Sequence, residues 1–359
     1  MSARQGGGIT YILNLFDAQH ADNIVIVTSG NISFSGTENV KVLDLGLFGR
    51  YPGLRFFVEL LFFPIMLKRY QVDVLFCPGG VSFTYLMPSK VKLIAMFRNV
   101  LPFSSISSFS SDGVYQLIRN MLLKVLMVIT FKRADSVIFI SNYASEMIKK
   151  IVPLKNSTVI YHGLSDDFFQ SDCHAHVSSP SPIKILYVSK FLDYKNQLQL
   201  LRAIARHSSL RRYSYSIIGE IGGAYYELCK EFSRKNSLDD VVKFVGPVDY
   251  NNLPLVYSSA DILLFLSSQE NCPNILLESM ASGKAVVCSN VQPMPEFGQS
   301  AVLYCDPYNI DSIFDSIHEV AKNRLLRIEY GKRARERSMS FSWDATRVET
   351  FKHFRVING

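Results

Sequence analysis

Ile262-Leu263-Leu264-Phe265-Leu266-Ser267-Ser268-Gln269-Glu270-Asn271-Cys272-Pro273-Asn274-Ile275-Leu276-Leu277-Glu278-Ser279-Met280-Ala281-Ser282-Gly283-Lys284-Ala285-Val286-Val287-Cys288 is the stretch on which the fold turns. An unbroken apolar run, Ile262 to Leu266, has no polar alternation, so it suits a strand buried on both faces. A polar loop follows. Pro273 marks the first turn of a short helix, Gly283 ends it, and a second apolar strand begins at Ala285. Strand, helix and parallel strand in this order make a βαβ unit.

The same grammar extends in both directions. Apolar runs recur at Ile24–Val27, Val40–Leu45, Val72–Cys77, Val91–Phe97, Ser136–Ile140 and Thr158–Tyr161, then at Ile183–Val188, Tyr215–Ile218, Val241–Val245, Ala285–Cys288 and Ala301–Tyr304. Helix-like stretches separate them, which predicts an α/β chain of two doubly wound, Rossmann-like domains. A length of 359 residues suits two domains, and 48% hydrophobic residues are enough for substantial cores. Ser171 to Pro182 breaks all periodicity, so it is expected to link a first domain, 1–170, to a second, 183–340, with 341–359 as a terminal segment.

Charge divides unevenly. The net charge of +7 lies wholly in residues 1–165, which hold 16 Lys/Arg against 9 Asp/Glu, whereas 166–359 is balanced. Two greasy stretches in that basic half, Phe56–Arg69 and Met121–Arg133, each end in Lys-Arg. They suit either core helices with basic C-terminal ends or an anionic membrane surface. Neither Leu60–Leu67 nor Val125–Phe131 approaches the ~18 apolar residues of a membrane span. Met1 to Gln5 is polar, from which no secretory signal is expected. Zinc-finger spacing, a ribonucleoprotein aromatic motif and dense Lys/Arg runs are all missing, so nucleic acid is not an expected partner.

Six scattered cysteines without a Cys-x-x-Cys pair argue against a disulfide scaffold and for a reducing compartment. Cys173, His174 and His176 fall in the linker, which fixes no coordination geometry, so no metal is expected.

Ligands of open α/β sheets bind beyond the carboxyl ends of the strands, which directs attention to four loops. In the loop quoted above, free N–H groups near Asn274 and Ile275 are placed to bind phosphate, while Glu270 and Glu278 suit the hydroxyls of a ribose or sugar. In Tyr187-Val188-Ser189-Lys190-Phe191-Leu192-Asp193-Tyr194-Lys195-Asn196, two lysines flank a strand-to-helix turn and could neutralise a departing diphosphate. Gly6-Gly7-Gly8 opens an apolar-periodic helix, and Gly219-Glu220-Ile221-Gly222-Gly223 follows a buried strand; both permit close backbone approach.

Glu270-x7-Glu278 in this context resembles the signature of glycosyltransferase family 4, which is retaining, metal-independent and of GT-B architecture. The resemblance runs from Gly6 to about Phe354 and includes Lys190 with Lys195, Val245-Gly246-Pro247, Ser258-Ser259-Ala260-Asp261 and Phe341-Ser342-Trp343. It implies two domains facing a cleft, with the last helix returning to the first domain. It implies further that Glu270 holds the transferred sugar, Glu278 the nucleotide ribose, and Lys195 with Lys190 the diphosphate. Asn271, Cys272, Pro273, Asn274 and Ile275 would contact sugar and phosphate, Gly219, Val245 and Pro247 would line the base pocket, and Gly7 and Gly8 would approach the donor. The implied partners are a UDP- or GDP-linked sugar and a saccharide acceptor, lipid-linked given the basic, apolar first half. The implied place is the cytoplasm, at the inner face of the plasma membrane, in surface polysaccharide assembly. No cofactor is implied.

Three positions depart from the family pattern. Lys190 stands where Arg is usual, which keeps the charge but loses the bidentate fork. Arg98 and Asn99 stand where many members carry His, and are assigned to the acceptor side. His162-Gly163 replaces a frequent Asn-Gly, and His162 is expected to be structural. Members also begin with a strand before the glycine loop. Only Met1 to Gln5 precede it here, so the first strand is expected to be missing from a truncated start. The alternatives are an epimerase or phosphorylase on the same scaffold, or a non-catalytic nucleotide- or glycan-binding module.

Overall fold

The computed structural model describes residues 7–16, 24–28, 40–46, 51–104, 114–169 and 182–359. The expected linker core, 171–181, and the residues on which the missing-strand expectation rests, 1–5, lie outside them.

The chain forms two compact units. One comprises residues 1–163 together with Trp343–Gly359; the other is Leu164–Ser342. The first unit opens with helix α1 (Gly7–Phe16), so the glycine run leads directly into a helix. Strands β1 (Ile24–Thr28) and β2 (Val40–Asp44) pair with one another in parallel. Helix α2 (Pro52–Phe57) continues through a π-helical turn, Val58–Phe62, into helix α3 (Phe63–Arg69). A four-stranded parallel sheet follows, built from β3 (Val74–Cys77), β4 (Lys92–Phe97), β5 (Ser136–Phe139) and β6 (Ser157–Val159) in that spatial order. Helix α4 (Val114–Arg133) crosses from β4 to β5, and α5 (Asn142–Lys149) from β5 to β6. Strand β4 is almost wholly buried, as expected of a central parallel strand with both faces covered.

Helix α4 differs from the sequence expectation. No apolar run reaches membrane-spanning length, yet this helix is long and apolar enough to cross a bilayer by length and composition. Arg119 and Lys124 interrupt the run in sequence but not in the helix. Its inner face is part of the first unit's core: Met127 and Phe131 are buried, and the Phe131 ring lies 5.9 Å from Phe97.

The second unit holds strands β7 (Lys184–Val188), β8 (Ser214–Ile218), β9 (Val242–Val245), β10 (Ile262–Phe265), β11 (Ala285–Ser289) and β12 (Leu303–Cys305). They form one parallel sheet in the order β12-β11-β10-β7-β8-β9. Successive strands progress one way from β7 and the other way from β10, so the β7/β10 pair is the topological switch point. Helices α6 (Gln197–Arg206), α7 (Ala224–Lys235), α8 (Leu253–Ser258), α9 (Asn274–Ala281), α10 (Met294–Gly298), α11 (Ile310–Lys322) and α12 (Arg324–Ser338) complete the unit. The core is continuous from Leu200 and Ile204 on α6 through Ile217 and Leu264 on the sheet to Ile313 and Ile317 on α11.

The boundary lies earlier than the expected residue 170. Leu164 N donates to the Phe341 carbonyl at 3.1 Å, and the buried Phe168 ring packs 5.5 and 5.9 Å from Tyr250 and Tyr257. These contacts assign Leu164 to Phe169 to the second unit, because the apolar anchor Phe168 outweighs the polar sequence after it.

Helix α13 (Trp343–Asn358) belongs to the first unit. Thr346 Oγ1 donates to the Tyr161 carbonyl at 2.8 Å, Ser136 Oγ and His353 Nε2 are 2.8 Å apart, and the Phe354 ring lies 5.0 Å from Phe76 on β3. His162 is buried between the rings of Tyr11 and Trp343, at 5.1 and 5.8 Å.

Candidate active site

The loops after β7 and β10 leave adjacent strands at the switch point and are stitched to each other. Ser268 N donates to the Tyr194 carbonyl at 2.8 Å, and its hydroxyl donates to the same oxygen at 3.1 Å. Asn196 Nδ2 donates to the Leu266 carbonyl at 2.8 Å. Asn196 can do so because its backbone is left-handed (φ 59°), a conformation that Asn tolerates better than most residues. That turn ends the short 3₁₀ segment Asp193–Lys195 and launches α6. Gln197 Nε2 then reaches back to Ser189 Oγ at 2.7 Å and the Lys190 carbonyl at 2.8 Å, closing the β7 loop on itself.

This stitching brings Lys195 to Glu270. The Nζ donates to Oε1 in a part-buried ion pair, and the ammonium also sits 5.4 Å from the centres of the Phe265 and Tyr194 rings. The buried Tyr187 hydroxyl donates to the Lys195 carbonyl, which pins the lysine backbone from below. A lysine held by carboxylate, rings and backbone presents a fixed charge, as electrostatic stabilisation requires. Lys190 is not part of this pair: its side chain is exposed and makes no ion pair among the described residues.

Helix α9 begins immediately beyond Glu270. Pro273 occupies its cap position and supplies no side-chain oxygen to the first turn. Asn274 N is bonded to the Cys272 carbonyl at 3.0 Å, so the phosphate-binding capacity of this end rests on the amides after it. Asn271 is buried and Cys272 half-buried in the loop ahead of the helix.

Glu278 lies inside α9 and is buried. Burial pushes its carboxyl up to about 8, against the opposing hydrogen bond that its Oε2 accepts from Tyr257 at 3.1 Å. Tyr257 comes from α8 and packs on Phe168; neither residue was singled out in the sequence, since nothing in their spacing marks them. The residue placed next to a carboxylate is therefore a tyrosine and not a second acid.

Gly219 follows β8 and Val245 ends β9 at the same end of the sheet, where Gly219 N donates to the Val245 carbonyl at 3.2 Å. Gly219 has a packing reason to be glycine: a Cβ there would lie 2.2 Å from the Ser189 carbonyl oxygen. Val245 and Pro247 are exposed. In the first unit, Gly7 and Gly8 form the first turn of α1. Arg98 follows β4 and stacks 5.2 Å over the Tyr11 ring, and Asn99 Oδ1 accepts from Leu101 N at 3.1 Å in a local turn.

Parallel strands, a switch point and an uncapped helix start beside an acid–lysine pair are the architecture of a doubly wound α/β unit with its loops gathered beyond the strand ends. Similar solved structures share it. Sucrose-phosphate synthase from Thermosynechococcus elongatus superposes with a TM-score of 0.77 at 19% identity, covering 98% of this chain and 94% of that one. Anabaena HepE, solved with UDP and glucose, gives 0.74 at 15% identity, covering 99% and 98%. The fold is that of the GT-B glycosyltransferases. Residues 172–337, a little under half of the chain, match the family model described as glycosyl transferases group 1. Among curated relatives, O-antigen chain mannosyltransferase B of Escherichia coli is 25% identical over 173 residues, 48% of this chain and 45% of the relative. D-inositol 3-phosphate glycosyltransferase of Kribbella flavida is 27% identical over 184 residues, 48% and 43%. The matched part thus spans less than half of either relative.

Proposed function

We propose that this protein is a retaining glycosyltransferase of family 4 type, moving a sugar from a UDP- or GDP-linked donor to a saccharide acceptor. The observation that carries the reading is the Lys195–Glu270 ion pair at the switch point, next to the start of α9 and one helix away from the Tyr257–Glu278 pair. Glu278 binds the ribose hydroxyls, Glu270 the hydroxyls of the transferred sugar, and Lys195 the diphosphate, aided by amides at the start of α9 and by the more mobile charge of Lys190. Gly219, Val245 and Pro247 line the base. Arg98 and Asn99 serve the acceptor, and Gly7 and Gly8 approach the donor.

The chemistry these groups support is front-face displacement. The bond from the anomeric carbon to the diphosphate oxygen breaks, the acceptor hydroxyl oxygen bonds to the same face of that carbon, and its proton passes to the departing phosphate. Negative charge grows on the diphosphate, where the fixed Lys195 and the helix amides oppose it; one such donor is worth ~3 kcal/mol. No protein nucleophile is needed.

The family's membership of glycan assembly and the basic, apolar first half support a lipid-linked acceptor in surface polysaccharide synthesis, at the inner face of the plasma membrane. The test is a product assay with purified protein, a panel of nucleotide sugars and membrane lipid extract. Transfer with retained anomeric configuration supports the reading. Turnover without a saccharide acceptor would reassign the protein as an epimerase or phosphorylase, and binding without turnover as a nucleotide- or glycan-binding module.

A further inference from the structure

Helix α4 is apolar on two sides. Its inner side packs in the core, yet Ile118, Met121, Leu122 and Val125 are all more than half exposed on the other. Their spacing is that of one helical stripe, so the exposure is a continuous face and not scattered side chains. A second exposed apolar ridge, Phe57, Leu61 and Ile65, runs along α2, the π turn and α3.

Both ridges grip the same loop. From one side Arg55 donates to the Val81 carbonyl at 3.3 Å and Glu59 Oε2 accepts from Phe83 N at 2.8 Å. From the other, Thr130 Oγ1 accepts from Ser82 N at 3.1 Å and Arg133 donates to the Thr84 carbonyl at 2.7 Å. Tyr85 and Leu86, exposed at the end of that loop, continue the apolar surface between them.

The charges are one-sided. The segments 52–69 and 114–133 contain a single acid, Glu59, and it is buried and paired with Arg55. Lys68, Arg69, Arg119, Lys124 and Lys132 are all exposed. Among the described residues of these two segments, every exposed charge beside the apolar face is a cation, which is complementary to an anionic bilayer, whereas two copies of the face would repel. Because Met127 and Phe131 are committed to the core, α4 cannot be surrounded by lipid and must lie along the surface.

We propose that this face of the first unit docks on an anionic lipid bilayer, with α4 in the plane of the interface and its outer stripe in the acyl boundary. The inference deepens the membrane-peripheral part of the function proposed above. Its test contains no sugar, so failure here leaves the transfer reading standing, and failure of transfer leaves this one standing.

The purified chain is mixed with vesicles of phosphatidylcholine alone or with phosphatidylglycerol, and flotation is measured. It should float with the mixed vesicles at low salt and not with the neutral ones. Ile118→Glu/Val125→Glu should weaken partitioning at least about tenfold, and Lys124→Glu about fivefold with a shallower salt dependence. Leu325→Glu, an exposed apolar site on the second unit, should change nothing; matching melting curves establish that each variant folds. The proposal is overturned if the native chain does not float, if the double variant floats equally well, or if ultracentrifugation shows a dimer that the double variant abolishes. Resistance of the bound protein to alkaline extraction would overturn it in favour of a spanning helix.

Discussion

Tyr257 donates its hydroxyl proton to Glu278 Oε2 across 3.1 Å in the interior of the second unit. The carboxyl is pushed up to about 8 from its ordinary 4.5 by burial, so the folded chain holds a proton there that the unfolded chain has released. The stabilising contribution is complete below about 4.5 and is lost as pH rises through about 8. Thermal melting followed against pH should show a fall across this window that Glu278→Gln flattens. Ribose hydroxyls favour the charged carboxylate, so donor binding near neutrality should release a proton, visible as buffer-dependent heats in calorimetry. Tyr257→Phe removes the interaction that holds the carboxyl down and should weaken donor binding most at neutral pH.

Lys195→Ala should lower turnover at least about a hundredfold, because it removes the fixed cation nearest the developing charge. It also leaves Glu270 without its partner, at a cost of ~3 kcal/mol in chemical unfolding. Lys195→Met/Glu270→Gln should regain most of that stability and none of the activity. Melting and rate measurements on the same samples separate the two losses.

Lys190→Ala should behave differently. The side chain is exposed, so stability stays within about 0.5 kcal/mol of the native chain. Its effect should fall on KM for the donor more than on kcat.

Gly219→Ala places a methyl group 2.2 Å from the Ser189 carbonyl oxygen, where backbone and not a flexible side chain must yield. A loss of ~1–3 kcal/mol is expected by urea denaturation. Since Ser189 precedes Lys190, weaker donor binding should accompany it.

Asn196→Gly keeps the left-handed turn and loses the bond to Leu266, costing ~1 kcal/mol. Asn196→Ala loses both and should cost about 1 kcal/mol more. Equal melting temperatures for the two would show that backbone conformation contributes nothing here.

The strands were legible because burial on both faces writes itself into composition. Ile262–Leu266 was expected and Ile262–Phe265 observed, Val91–Phe97 expected and Lys92–Phe97 observed, whereas Thr158–Tyr161 and Ala301–Tyr304 miss the observed Ser157–Val159 and Leu303–Cys305 by up to two residues at an end. The site was legible as loops, since strand ends locate it, but not as pairs. Lys190 and Lys195 carry the same charge in the same loop, and only the turn at Asn196 decides which one meets Glu270. Tyr257 lies far from Glu278 along the chain and carries no periodic or motif signal. Gly219 has the composition of a binding loop and the environment of a packing constraint. The boundary near residue 163 was hidden because one buried ring, Phe168, sets it.

Leu164 forms an isolated parallel bridge with Ser342, so the chain enters the second unit and leaves it at neighbouring points. Residues 164–342 are thereby a cassette with a single doorway, closed by one pair of backbone strands. Exchange of that cassette between related proteins would need only two junctions, side by side, and on the proposed function would replace the donor site while leaving residues 1–163 untouched.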